Sequence, residues 1–481
     1  MTNKYLIIFE DNLVSNLNPL TLTRPAFELL CGMKPLWENI IKRMPDAGSF
    51  SYICRDYLKD VALQHKIGTQ INSIEHVHES TFDNALLING RIIASLSELP
   101  EIDGEEVIGL QDGAIAYARI KNYGKLASLM DSISDDQNQF IEKMMSIDVP
   151  KKEIKGIKFA NYLWNLVLAN GEAIEADFKF YAKPEESKGV IENGAFVRAK
   201  VDGKIISYGA EEASKLMKEG KIGLYIGEGT KIFPNVTIDI TGGPAYIGAH
   251  IDVRPPSLID GPCCMMDNEG TSKKTTIIDG GLIRSGCTLG PVCRVGGELE
   301  ESIIQGYTNK HHAGFIGHAY LGEWVNVGAM ATNSDLKNDL SDVKVPVNNQ
   351  IVDSGDLKVG CFIGDHTKLG IGALLTTGTV VGIMTNVLSS GDLPPQYVPS
   401  FCFYRENRLS KGFRVKTLLE TAERVMSRRN VKLTEADCKM LEKVYEMVEA
   451  ERNDEVDKHN RRVDNEIFKL IKQYEKEKAK K

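Results

Sequence analysis

The sequence predicts three parts: an α/β unit, a left-handed parallel β-helix of hexapeptide repeats, and a helical tail. Three observations carry this reading. Between positions 222 and 393 small aliphatic residues return every six positions. They stand at Ile226, Ile232 and Ile238, at Ile247, Val253 and Ile259, at Ile277, Ile283, Leu289 and Val295, and at Leu357, Ile363, Leu369, Leu375, Val381, Val387 and Leu393. Ahead of that run, short apolar stretches alternate with helix-compatible segments. Behind it, from about residue 406, glycine nearly vanishes and helical periodicity takes over.

A helix repeats its apolar residues at about 3.6 and a strand at about 2, so neither explains a sustained period of six. Hexapeptide repeats do, because each hexad is one short strand plus its corner, and its aliphatic side chain stacks on the one a coil below. Glycine often follows the aliphatic residue, as in Ile226-Gly227, Leu289-Gly290 and Ile363-Gly364, where the corner demands close backbone approach.

In chain order, residues 5–9 read as a buried strand, 34–44 as an amphipathic helix, and 51–54 and 85–88 as further strands. Residues 121–145 are polar and helix-compatible, and 159–180 read as a long helical arm. The repeats follow, broken by a polar loop at 262–275 and a charged insertion at 333–358. In the tail, Leu433, Ala436, Met440, Leu441, Val444 and Val448 share one helical face, with Thr434 and Asp437 placed as a capping box. That face reads as a cap over the open end of the solenoid or a subunit contact. Trp324 reads as an external packing residue. The expected divisions are 1–155 for the α/β domain, 156–215 for the arm and linker, 216–405 for the β-helix and 406–481 for the tail.

Composition narrows the function classes. A formal net charge of −8 over 481 residues offers no basic field for nucleic acid. No stretch approaches the roughly 18 consecutive apolar residues that span a bilayer. The N-terminus meets an acid after a short apolar run and lacks a signal-peptide cleavage site. Nine cysteines without CxxC spacing read as reduced thiols of a cytoplasmic protein, and no metal ligand set is identified.

The chemistry concentrates at residues 309–338, where three of the nine histidines, His311, His312 and His318, fall within eight residues. Acyl transfer to an amine needs a base with a near-neutral pKa, which histidine supplies, and a donor for the oxyanion. The same residues also fit a hydrogen-bonded polar corner. Lys337 reads either as a phosphate contact or as a solvated loop charge.

The stretch NKHHAGFIGHAYLGEWVNVGA, continuing to TNSDLKN, resembles the acetyltransferase half of the bifunctional enzymes that make UDP-N-acetylglucosamine, namely a glucosamine-1-phosphate N-acetyltransferase fused to its uridylyltransferase. The resemblance implies His312 as general base, Arg294 as a grip on the sugar phosphate, and Asn333 and Lys337 as substrate or CoA contacts. A second arginine expected by that family is Gly296 here, and a substrate-contacting tyrosine is Phe315.

The start, FEDNLVSNLNPLTLTRPAFELLCG, resembles the nucleotidyltransferase-like, Rossmann-like domain of sugar-1-phosphate nucleotidyltransferases, with Gly32-Met33-Lys34-Pro35 also in place. The resemblance makes Arg24 and Lys34 the candidate phosphate-binding cations. Its departures are specific. Residues 10–16 contain no glycine, Asn16 and Ala26 replace a loop arginine and a lysine, and Arg91 stands where a magnesium-binding aspartate is expected. Together the two motifs identify a member of a sugar nucleotidyltransferase group with a divergent N-terminus. Implied are a transferase of nucleotide-sugar biosynthesis, a sugar 1-phosphate and a nucleotide as partners, acetyl-CoA or another acyl-CoA as co-substrate, magnesium without its usual carboxylate, and a homotrimer. The alternative is a catalytically reduced protein that senses a sugar phosphate or nucleotide sugar.

Overall fold

The computed structural model describes residues 3–478 apart from 66, 67, 69, 269–275 and 390. The N-terminal unit is built on a six-stranded mixed sheet. Its order is Ser49–Ile53, Asn3–Phe9, Phe82–Asn89, Ala114–Ile120, Val107–Gln111 and Lys151–Glu153. The first three strands are parallel, and Phe82–Asn89 runs antiparallel to Ala114–Ile120. Helices α1 (Leu36–Lys42) and α2 (Lys59–Gln64) cover one face, and α3 (Tyr123–Met130) and α4 (Asn138–Ser146) the other. The α/β reading and the expected helices thus hold.

The repeat region is a parallel β-helix. One inward column runs Ile226, Ile247, Met265, Leu289, Ile304, Leu321, Ile363, Val381 and Val398, each paired with the next coil. All nine side chains are fully buried. A second column runs Ile191, Ile232, Val253, Ile278, Val295 and then Lys310. Three positions of the expected beat differ. Ile278 rather than Ile277 points inward, because the ladder shifts register between Ile278 and Gly281. Leu357 and Leu393 are 50% and 54% exposed, lying in connections rather than coils. The expected loop at 262–275 holds an inner strand, Cys263–Met265, and its residues 269–275 lie outside the described residues. The insertion at 333–358 contains an antiparallel hairpin, Lys344–Val347 with Gln350–Asp353.

Helix α5 (Leu163–Tyr181) is wedged between the two parts. Leu163, Trp164, Leu166, Val167, Ala169 and Ala173 share one core with Leu20, Leu29 and Leu30 on one side and Ile303, Tyr320 and Phe362 on the other. Its polar groups serve the same joint. Asn170 accepts from the Gly32 N–H at 2.8 Å and donates to the Gly286 carbonyl at 2.9 Å. The fully buried Asp177 accepts from the Met33 N–H, Asn39, Arg43 and Ser95 at 2.7–3.1 Å. Buried carboxylates persist when satisfied in this way.

The tail differs in part from a simple end cap. Helix α9 (Glu449–Lys478) does lie on the last hairpin, where Asn460 bonds the Leu409 backbone at 2.8 and 3.2 Å. Helices α7 (Val415–Ser427) and α8 (Glu435–Met447) instead turn back to the N-terminal unit. Leu418, Ala422, Met440, Leu441, Val444 and Val448 share a core with Tyr52, Val61 and Phe401. The capping box of α8 is formed by Thr434 and Asp437 as expected. No described helix is long and apolar enough to cross a membrane.

Candidate functional site

The first strand ends at Phe9, and the next two residues decide what the N-terminal loop can hold. Glu10 accepts from the Ala26 N–H at 2.7 Å and from the Arg55 guanidinium at 2.9 and 3.1 Å. Asp11 accepts from Arg91 at 2.6 and 2.8 Å and from Asn89 at 2.8 Å. Arg91 is fully buried and also donates to the Ala160 carbonyl and to Asn161. Two interior ion pairs therefore fill this loop, where the sequence resemblance leads one to expect a phosphate cradle. A cation already neutralises Asp11, so these residues do not fit magnesium. Asn16 is held from the insertion hairpin, accepting from Asn348 at 2.9 Å.

Arg24 and Lys34, the expected phosphate cations, lie elsewhere. Arg24 reaches into the solenoid, donating to Asp365 and pairing with Glu323 at 3.2 Å, while Thr23 donates to Asp365 at 2.7 Å. Its guanidinium is 3% exposed and faces the joint rather than residues 10–16. Lys34 pairs with Glu38 at 2.9 Å, one helical turn on, at the edge of a hollow that Tyr246 and Asp267 also line.

In the solenoid, Lys310 occupies an inward position that the second column fills elsewhere with aliphatic residues. Its ammonium donates to the carbonyls of Gly296 at 2.8 Å, His312 at 2.7 Å and Gly314 at 2.8 Å. Burial pushes its pKa down to about 8. This fan fixes the loop that carries His312 against the bulge that follows Arg294 one coil below. His312 is exposed, and its ring meets His311 edge-on at 5.4 Å. Arg294 is half-buried, and one terminal nitrogen has no hydrogen-bond partner among the described residues. Burial, then Arg429 and Arg254, lower its pKa. So Arg294 and the loop that carries His312 lie on adjacent coils. Asn333 and Lys337 are engaged within the chain. Asn333 closes on Gly317 at 3.0 Å through both its oxygen and its nitrogen, and Lys337 donates to Ser341 and the Asp342 carbonyl.

His318 is a corner residue with a charge. It donates from Nδ1 to Asp335 at 2.8 Å and from Nε2 to Glu301 at 3.1 Å. Burial opposes the charge on the ring, but the hydrogen bonds to Asp335 and Glu301 outweigh it and raise the pKa to about 9. A folded-state pKa above the unfolded value contributes stability that is full below about pH 6.5 and lost as pH rises through 9. Unfolding free energy is expected to fall between those values, and His318→Asn is expected to flatten the slope. An unchanged slope in denaturant titrations at several pH values would show that His318 is not charged.

Sequence reading missed a cleft of about 420 Å³ where the N-terminal unit, solenoid and tail meet. Tyr307 stacks on Trp324 at 4.3 Å, and Trp324 on His366 at 6.1 Å. Trp324 therefore packs on the outside of the solenoid, as expected, but is buried at this joint, 6% exposed. All three have φ between 51° and 59°, which marks one repeated corner. The signal available in sequence was the coil spacing of Tyr307 and Trp324, hidden at His366 by the insertion.

Residues 6–186 match the family model described as sugar nucleotidyl transferase. That span is the part of the chain holding the mixed sheet and α5. Among relatives, a bifunctional sugar-1-phosphate nucleotidylyltransferase/acetyltransferase of Sulfurisphaera tokodaii is 32% identical over 90 residues, covering 19% of this chain and 22% of its own. An uncharacterized acetyltransferase, YaiX, of Escherichia coli O6:K15:H31 is 24% identical over 157 residues, covering 33% and 66%. The bifunctional protein GlmU of Gloeothece citriformis is 26% identical over 180 residues, covering 33% and 36%. The matches thus span from about a fifth to two thirds of the relatives' own lengths. The named chemistry of these relatives is transfer of nucleotidyl and acetyl groups.

Proposed function

We propose that the chain is a transferase of nucleotide-sugar biosynthesis whose solenoid moves an acyl group from acetyl-CoA to an amino sugar phosphate. The observation that carries this reading is the Lys310 fan, which holds the exposed His312 loop beside the coil of Arg294. In the proposed reaction the amine nitrogen attacks the thioester carbonyl, His312 takes the amine proton, and collapse of the tetrahedral intermediate breaks the C–S bond. The CoA thiolate leaves and is reprotonated. Arg294 holds the phosphate. The reading includes a left-handed β-helix working as a cytoplasmic homotrimer, since hexapeptide acyl-transfer sites use a neighbouring subunit's wall. Purified protein given acetyl-CoA and glucosamine 1-phosphate is expected to release free CoA thiol. No thiol above background would remove the reading. Light scattering showing a monomer across micromolar concentrations would remove the shared site.

A second reading applies to the N-terminal unit, and the Glu10–Arg55 and Asp11–Arg91 pairs favour it. This unit keeps the frame of a sugar nucleotidyltransferase without its phosphate loop or metal carboxylate, and serves binding or regulation. We expect no pyrophosphate release from a nucleoside triphosphate and a hexose 1-phosphate in the presence of magnesium. Rapid release would overturn this second reading.

A further inference from the structure

The joint between the three parts has the chemistry of a binding site that neither resemblance assigns. Its walls come from the N-terminal unit (Arg24, Glu28, Trp37, His65), the solenoid (Tyr307, Glu323, Trp324, Asp365, His366) and the tail (Lys432, Asp437). Its volume of about 420 Å³ lies within the range of sites that enclose a small polar molecule. Two features set its preference.

The first is charge. Glu28, Glu323 and Asp365 face one guanidinium and one imidazole. Both bases are already engaged, Arg24 by Asp365 and Glu323, and His65 by Glu28 at 2.6 Å. In the tail, Lys432 and Asp437 add one charge of each sign. The lining therefore keeps one carboxylate in excess even with His65 fully charged. Lys368, beside His366, donates to the Trp324 and His366 carbonyls at 3.0 and 2.8 Å and does not line the cleft. A phosphate would meet net negative charge, and the one lining cation without a partner among the described residues is the exposed Lys432 of the tail, while Arg24 and His65 are already paired. An ammonium would be welcome.

The second feature is the combination of aromatic rings and unpaired polar atoms. Trp37 lies on one wall and the Tyr307–Trp324 stack on the other, and such rings attract a cation through their π faces. Three buried polar atoms of lining residues have no hydrogen-bond partner among the described residues: Glu28 Oε1, Arg24 Nε and His366 Nδ1. Glu28 and Arg24 are 8% and 2% exposed. Buried groups left unpaired are costly, and a ligand that supplies both donors and acceptors relieves them. Hydroxyls do both.

We propose that this cleft binds an amino sugar in its ammonium form, without phosphate, with the ammonium at Glu28 between the aromatic walls and hydroxyls at Arg24 and His366. The site contains neither Arg294 nor His312, so a failed acetyl-transfer assay leaves it standing.

The test is calorimetric titration of the full chain at pH 6.5 with three probes: glucosamine, N-acetylglucosamine and glucosamine 1-phosphate. Arg294→Ala serves as background, to silence phosphate binding on the solenoid. Glucosamine is expected to bind, and N-acetylglucosamine, which lacks the charge, to bind about tenfold more weakly. Glucosamine 1-phosphate is expected to bind more weakly than glucosamine as well. Trp37→Ala and Glu28→Gln should each weaken glucosamine by about tenfold or more. If Glu28→Gln disturbs folding, Trp37→Ala decides, because Trp37 is only partly buried. The proposal is overturned by no heat with glucosamine at tens of millimolar, by equal affinity for N-acetylglucosamine, by preference for the phosphate form, or by full binding in Trp37→Ala.

Discussion

Arg24→Ala is expected to lower the free energy of unfolding by about 3–5 kcal/mol, a large share of a typical domain's stability. The substitution leaves Asp365, 6% exposed, and Glu323, 22% exposed, facing each other without their shared cation. Removing one partner of a buried pair costs more than the pair itself contributes, because the remaining charge stays desolvated. The two carboxylates belong to the solenoid and the arginine to the N-terminal unit, so the loss should appear as separation of the two parts before global unfolding. Denaturant melts followed by two probes, one in each part, would read this as loss of coincidence. Lys34→Ala is the internal control. Its partner Glu38 is one turn away at a partly exposed site, and such pairs contribute at most about 1 kcal/mol. If Arg24→Ala melts like the parent, the clamp across the joint is not what holds the parts together.

His312→Ala should behave in the opposite way: turnover falls by about 10²–10⁴ while the melting temperature stays put. The ring is exposed and makes no hydrogen bond among the described residues, so its removal leaves no buried group unsatisfied. Arg294→Ala, in contrast, should mainly raise KM for the sugar phosphate, since a phosphate grip acts on ground state and transition state alike. Lys310→Met separates position from chemistry. It frees three carbonyls and loosens the His312 loop, so it should lower kcat without abolishing it. Full turnover in His312→Ala would take the central residue out of the acyl-transfer reading. Unfolding would make the histidine a structural corner.

The repeat was legible because stacking one coil on another forces a period on the sequence that nothing else imposes. The second column shows the limit of that legibility. A lysine at 310 breaks the aliphatic beat, and only coordinates reveal that its amine is satisfied by three carbonyls inside the solenoid. In the same way Arg91 reads in sequence as a missing aspartate, yet in space it is a partner for Asp11. Arg24 is the clearest displacement. Its neighbours in sequence suggest a phosphate contact, but Asp365 lies 341 positions away, and pairings at that distance leave no local mark. The cleft was invisible for the same reason, being assembled from three parts of the chain.

The two ion pairs at Glu10 and Asp11 bear on which substitutions this half of the molecule can accept. Placing a carboxylate at position 91 by Arg91→Asp would set an acid against Asp11 and remove a guanidinium that Ala160 and Asn161 also hold. Changing Asp11 first would strand Arg91 in the interior. Either single step crosses a valley of about 3–5 kcal/mol, while the double change avoids part of it. Such reciprocal dependence acts as a ratchet: with Arg91 paired to Asp11, one-at-a-time substitution does not place a carboxylate at position 91 without crossing that valley. A double-mutant cycle on positions 11 and 91 would measure the tooth of that ratchet as non-additivity, and additive effects would mean that the two positions change independently.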